Sequence, residues 1–137
     1  MPSEPDRYIG QPVPRREDAA LVAGGGRFTD DVRLTDPLHV AFLRSPLAGG
    51  SLAGVDAEEA AAALGVAAVH TGAELTGLGA LSVNEVIPLI ERPGFPVLAR
   101  DRVHAVGQPV AAALADSPAR AQDAAELIFA DISGDDA

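Results

Sequence analysis

Three histidines are the side chains of this sequence best suited to bind a metal ion or to transfer protons near neutral pH. They are His39, His70 and His104, and more than thirty residues separate each from the next. Each is flanked by apolar residues in a segment predicted to be a strand, and none is accompanied by a second ligand at metal-binding spacing. Packing or edge positions are therefore favoured about fivefold over metal ligation.

Paired carboxylates, which serve in general acid and base catalysis, occur at Asp30-Asp31, Glu58-Glu59 and Asp135-Asp136. Adjacent residues on a strand or helix point in different directions, so none of these pairs forms a ready catalytic dyad. We expect solvated or helix-capping roles for all three pairs.

Nucleophile and phosphate-binding motifs do not occur in the sequence. The serines, at positions 3, 45, 51, 82, 117 and 133, include no Gly-x-Ser-x-Gly elbow. No apolar strand precedes Gly24 to Gly26 and no Lys-Ser/Thr follows, so a turn is favoured and a phosphate loop has odds of roughly one in twenty. Because the chain has no cysteine, disulfides, thiolate zinc sites, cysteine-ligated iron–sulfur clusters and cysteine nucleophiles are excluded. We predict no catalytic, cofactor-binding or metal-binding residue.

The composition predicts one modest aliphatic core. Of the 137 residues 47% are hydrophobic but only 4% aromatic, so Val, Leu, Ile and Ala must build that core. A formal charge of −10 without basic clusters argues against nucleic acid as a partner. Residues 1–11 lack the apolar segment of a signal peptide, and no stretch approaches the ~20 apolar residues of a membrane helix. We therefore expect a soluble, cytoplasmic protein with no membrane partner.

The first third of the chain predicts an extended arm, a short helix and a strand. Prolines at positions 2, 5, 12 and 14 favour an extended arm over residues 1–16. Residues 17–23 can form one or two helical turns that end at the glycines, and 27–31 predict a turn. Residues 38–44 include apolar residues at both odd and even positions, which point to opposite faces of a strand. This pattern predicts a strand covered on both faces.

A second helix and strand are predicted next along the chain. Asp56 and Glu59 have the spacing of a capping box, with Asp56 accepting from the Glu59 amide, and the helix should run through Leu64 and stop at Gly65. The apolar residues 66–70 then predict a short buried strand.

The last third predicts an irregular excursion followed by strands and a helix. Glycines and prolines interrupt residues 76–96. Residues 97–106 and 110–115 predict two extended segments around a turn at Gly107, and the second is apolar throughout, as a central strand would be. Ser117 predicts the N-cap of a helix of about 12 residues that covers this strand.

No repeat or low-complexity linker divides the chain, so we predict a single domain over residues 1–137. The order of predicted strands and helices is typical of the α+β class. Residues 131–137 are predicted to be an acidic tail.

Three blocks of residues form a pattern that extends from about Ile9 to Asp131. The first consists of Arg16-Glu17-Asp18, Leu21, Gly24, Gly26, Phe28, Asp30 and Asp31. The second is the run His39-Val40-Ala41-Phe42-Leu43-Arg44-Ser45-Pro46. The third starts at Pro96-Val97-Leu98-Ala99 and continues through Asp101, Val103, Val106, Gly107, Pro109, Val110 and Ala111 to Ala121, Asp123, Ala124, Ala125, Glu126 and Leu127. In this order and spacing the blocks resemble the N-terminal α/β-hammerhead domain of the aldehyde oxidase, xanthine dehydrogenase and carbon monoxide dehydrogenase large-subunit family.

The resemblance implies an α/β-hammerhead with a mixed sheet and two main helices. It also implies a structural part of a molybdenum hydroxylase, which hydroxylates carbon or oxidises CO with water-derived oxygen. The parent complex would hold molybdopterin cytosine dinucleotide in a cofactor-binding chain and pass electrons through iron–sulfur and flavin subunits. No cofactor is expected in the present chain.

Two stretches depart from the family pattern. Leu47-Ala48-Gly49-Gly50 stands where the family has a His-Ala-His-Ala stretch. Residues 129–137 stand where the family continues into a further strand and a Tyr-Glu-x-Leu-Pro linker, beyond which the catalytic base and pterin contacts lie. We therefore expect a separately encoded or truncated hammerhead domain that is inactive alone.

Two alternatives remain open at this point. One is an orphan remnant that folds but has no partner, to which we give odds of about one in three because fold does not imply function. The other is a small module that binds a ligand non-covalently, since the absence of lysine excludes covalent biotin or lipoyl carriage.

Overall fold

The computed structural model describes residues 9–10, 12–81 and 94–134. The chain forms two compact units, residues 1–35 and residues 36–137, and each is described by itself. Within the described ranges, no helix has both the length and the apolar character needed to cross a membrane.

Unit 1 contains one short helix and one 3₁₀ turn in its described part. Helix α1 (Asp18–Val22) confirms the predicted helical turns, and the 3₁₀ turn at Thr29–Asp31 confirms the predicted turn. Residues 12–15 of the predicted arm have no regular secondary structure. The remainder of the arm lies largely outside the described residues.

Unit 2 contains eight strands and two helices within its described residues. In chain order they are β1 (His39–Arg44), β2 (Gly50–Asp56), α2 (Glu58–Ala62), β3 (Val66–Thr71), β4 (Ala80–Leu81), β5 (Phe95–Pro96), β6 (Arg102–Val103), β7 (Pro109–Ala115), α3 (Pro118–Glu126) and β8 (Phe129–Gly134).

The strands form two three-stranded sheets and a two-stranded ribbon. Sheet A has the order β1-β7-β3, sheet B has the order β6-β2-β8, and β4 pairs with β5. All described strand pairs are antiparallel, so the α+β class is confirmed but the predicted mixed sheet is wrong. The chain leaves sheet A after β1 at Ser45-Pro46, because proline cannot continue the ladder, and β2 belongs to the second sheet.

An alanine-rich layer joins sheet A to its helices. Ala111 and Ala113 of β7 pack against Ala124 and Ala125 of α3, with Ala60 of α2 in the same buried cluster. Single methyl groups let the helices lie close to the sheet. A second buried cluster, made of Leu52, Ala99, Val103 and Val110, lies against sheet B. Small aliphatic side chains therefore build the core, as the composition predicted.

The position of β7 confirms the sequence prediction, whereas that of β1 does not. β7 is the middle strand of sheet A, and Val110, Ala111 and Ala113 are fully buried. β1 pairs only with β7 among the described residues, and its exposure alternates along the strand. The prediction that β1 is covered on both faces is wrong, because Ala41 and Leu43 pack against the core on one face whereas Val40 and Phe42 are exposed on the other. β3 occupies the other edge and is half-buried rather than buried.

The start of α2 differs from the predicted capping box. The Oδ1 atom of Asp56 accepts a hydrogen bond from the backbone N–H of Glu58 at 3.1 Å, and not from Glu59. Asp56 is still the last residue of β2, so the helix begins only after the N-cap Ala57. The prediction that the helix runs through Leu64 and stops at Gly65 is wrong, because α2 ends at Ala62 and Ala63 is already extended. Gly65 itself has a left-handed backbone, with φ of 80°.

The further strand that the sequence interpretation held to be missing is present. β8 pairs with β2 along its whole length, from Asp56 opposite Phe129 to Gly50 opposite Gly134. Residues 131–134 of the predicted acidic tail therefore belong to a sheet, and residues 135–137 lie outside the described residues. α3 spans nine residues instead of about 12 because the chain enters β8 so soon after it.

The turn around Gly107 is confirmed, but it does not join paired strands. The backbone N–H of Gln108 donates to the carbonyl of Ala105 at 3.2 Å, and Gly107 has φ of 82°. β6 before the turn pairs with β2, whereas β7 after it pairs with β1 and β3. The turn therefore carries the chain from sheet B to sheet A. The predicted irregular excursion lies partly in 82–93, outside the described residues.

Candidate functional site

The structure places the three histidines far apart. His39 lies opposite Ala115 on one edge strand of sheet A, and His70 lies opposite Ala112 on the other edge. Their partners lie three residues apart on β7, so the two imidazoles belong to opposite faces of the sheet. His104 follows β6 in sheet B and is exposed. The predicted packing and edge positions are confirmed for His39 and His70.

The two carboxylate pairs that the structure describes lie in the first turns of helices. There they cap the backbone or are exposed to solvent. The Oδ2 atom of Asp31 accepts from the backbone N–H of Phe28 at 2.8 Å. Glu58 and Glu59 lie exposed in the first turn of α2, where the helix dipole favours negative charge. Glu74 faces the His70 Nδ1 at 3.6 Å, which is an ion pair only when the imidazole is protonated. The positions of Asp31, Glu58 and Glu59 confirm the predicted capping and solvated roles, while Asp135-Asp136 lies outside the described residues.

The triple glycine terminates α1, and the helix end engages the backbone N–H groups of its first two residues. The backbone N–H of Gly24 donates to the Leu21 carbonyl at 3.1 Å, and that of Gly25 donates to the Ala20 carbonyl at 2.7 Å. These two bonds are those of a Schellman motif, and Gly24 supplies its left-handed residue with φ of 71°. Two of the three glycine N–H groups are therefore already bonded to carbonyls of the helix end.

The second and third sequence blocks meet where β1 ends, and we call this contact the corner. The backbone N–H of Ser45 donates to the Gln108 carbonyl at 2.9 Å, and the Gly107 N–H donates to the Ser45 carbonyl at 2.8 Å. The guanidinium of Arg44 donates to the Gly107 carbonyl at 2.8 Å. The Arg-Ser-Pro segment thus holds the turn that connects the two sheets.

Side chains buried in the corner strengthen it further. Ser45 is 2% exposed, and its hydroxyl donates to the Leu47 carbonyl and accepts from the Leu47 N–H. Gln108 is 6% exposed, and its Oε1 atom accepts from the His104 N–H at 2.7 Å. Sequence reasoning did not find the contact of Arg44 and Ser45 with the turn at Gly107, because the two segments lie about sixty residues apart in the chain.

A cavity of about 420 Å³ lies beside the segment before β6. Its polar lining consists of Arg100, Asp101, Arg102 and His104. The Nη2 atom of Arg100 donates to the carbonyls of Leu75 and Leu78 at 2.8 and 2.9 Å, which holds the turn after β3. Its buried Nε–H has no hydrogen-bond partner among the described groups. The cavity thus offers hydrogen-bond donors to an anionic group. The Nη2 donors of Arg100, however, are already bonded to carbonyls of the turn.

The described residues do not fit a metal centre. Across the two described stretches beyond residue 11, no three histidine, aspartate or glutamate side chains converge as a metal would require. In the corner, the Arg44 guanidinium, the Ser45 hydroxyl and the Gln108 Oε1 atom are hydrogen-bonded to the backbone. The buried Nε2 atom of Gln108 has no hydrogen-bond partner among the described groups. The arrangement can hold two sheets together.

The described part of unit 2 thus combines two antiparallel sheets, an alanine-rich helical layer and a hydrogen-bonded corner in one α+β fold. Residues 23–133 match the domain family described as aldehyde oxidase and xanthine dehydrogenase, a/b hammerhead domain. The chain therefore belongs to the aldehyde oxidase and xanthine dehydrogenase family, and the resemblance found in the sequence is confirmed.

Proteins similar to this chain include subunits of bacterial oxidoreductases. The nicotine 6-hydroxylase large subunit of Paenarthrobacter nicotinovorans is 37% identical over 121 residues, which are 88% of this chain and 15% of the relative. Subunit gamma of the 6-hydroxypseudooxynicotine dehydrogenase complex from the same organism is 41% identical over 126 residues, which are 88% of this chain and 16% of the relative. The chain thus spans about one sixth of the length of these two relatives.

Solved structures confirm the fold. Quinoline 2-oxidoreductase from Pseudomonas putida 86 superposes with a TM-score of 0.82 at 36% identity, covering 91% of this chain and 16% of that one. The Cu,Mo-CO dehydrogenase superposes with a TM-score of 0.72 at 32% identity, covering 90% of this chain and 15% of that one. The hammerhead fold is therefore established for this chain.

Proposed function

We propose that this chain is the structural hammerhead domain of the molybdopterin-binding large subunit of a molybdenum hydroxylase. The enzyme would be of the xanthine dehydrogenase or carbon monoxide dehydrogenase type. The 137 residues would bind no cofactor and catalyse nothing by themselves. Their role would be to pack against cofactor-binding domains, whether these lie on the same polypeptide or on a partner.

The corner is the observation that carries this proposal. Three hydrogen bonds join the Arg-Ser-Pro segment of the second block to the Gly-Gln-Pro segment of the third. Residues of the blocks that resemble the family thus join the two sheets, as a structural role requires. Molybdopterin cytosine dinucleotide, bound by other domains, would supply the oxidation chemistry, with iron–sulfur and flavin subunits receiving the electrons.

Molybdenum content and dye reduction test the proposal. The untagged 137-residue chain is purified from a molybdenum-replete host and its molybdenum is measured by elemental analysis. We expect far less than one molybdenum per chain and no dye reduction with an aldehyde or a purine. The aldehyde oxidoreductase of Megalodesulfovibrio gigas, expressed in the same host, is the control that shows cofactor loading. Stoichiometric molybdenum or turnover by the 137 residues would refute the proposal.

The cavity beside Arg100 favours a second candidate, a small module that binds an anionic ligand. Inorganic phosphate is the simplest probe, because a ligand that binds only the folded chain raises its melting temperature. The structural proposal predicts an unchanged melting temperature at millimolar phosphate with sodium chloride as the ionic-strength control. A saturable rise that Arg100→Gln removes would favour the binding module instead.

A further inference from the structure

We draw no further inference here: the strongest candidate, the cavity lined by Arg100, Asp101, Arg102 and His104 beside the segment before β6, belongs to the site already described, and nothing in the described residues shows which ligand would fill it.

Discussion

Gly72 is the position at which the structure tolerates a side chain least. It is buried directly after β3, and a Cβ added there would overlap the carbonyl oxygen of Ala99, 2.6 Å from the carbonyl carbon and 3.1 Å from the Leu98 oxygen. These are backbone atoms, so no side-chain rotation relieves the overlap. The Ala99 N–H also donates to the Pro109 carbonyl at 2.8 Å, so moving this segment strains its bond to β7.

The cost of Gly72→Ala follows from these two contacts. Overpacking costs about 1–3 kcal/mol and a lost hydrogen bond about 0.5–1.5 kcal/mol, which together destabilise the chain by about 1.5–4.5 kcal/mol. Because a urea m-value is about 1–3 kcal/mol per molar, the midpoint of unfolding should fall by at least about 0.5 M.

Far-UV circular dichroism is the suitable assay for Gly72→Ala, because the chain has no tryptophan and one tyrosine. Gly77→Ala is the control, since nothing lies within 4 Å of its added Cβ and its φ is not positive. We expect the midpoint of the control to equal that of the wild type. The reasoning is refuted if Gly72→Ala unfolds at the wild-type midpoint, or if Gly77→Ala is equally destabilised.

Two further predictions concern local backbone geometry. Gly107→Val should cost about 1–3 kcal/mol although nothing lies within 4 Å of its added Cβ, because φ of 82° is closed to a branched residue; Gly107→Asn should cost clearly less, since asparagine tolerates this conformation. Equal urea midpoints for these two variants would show that φ is not the cause. Ser117→Ala should cost about 0.5–1 kcal/mol, the low end for an N-cap, because its Oγ accepts the Arg120 N–H at 3.4 Å. Ser133→Ala in β8 is the control, and a thermal melt in which both serine variants match the wild type would contradict the capping role.

The candidate site divides into a part that local signals could predict and a part that they could not. Spacing alone predicted that the three histidines and the paired carboxylates would have separate roles, because a ligand set or dyad needs neighbours on one face. The corner was beyond such reasoning, since Arg44 and Gly107 lie 63 residues apart in the chain. Only the pairing of β1 with β7 brings them together.

The sequence by itself determined the features that depend on neighbouring residues. The N-cap at Ser117, the left-handed glycines that end α1 and follow α2, and the buried central strand β7 all follow from contacts within a few residues or from a continuous apolar run. The tertiary structure decided the rest. β2 contains two glycines and ends in aspartate, which gives it little intrinsic strand preference, and β8 looks like part of an acidic tail. Each is a strand because the other supplies its hydrogen-bond partners from more than seventy residues away, and no local pattern records that pairing.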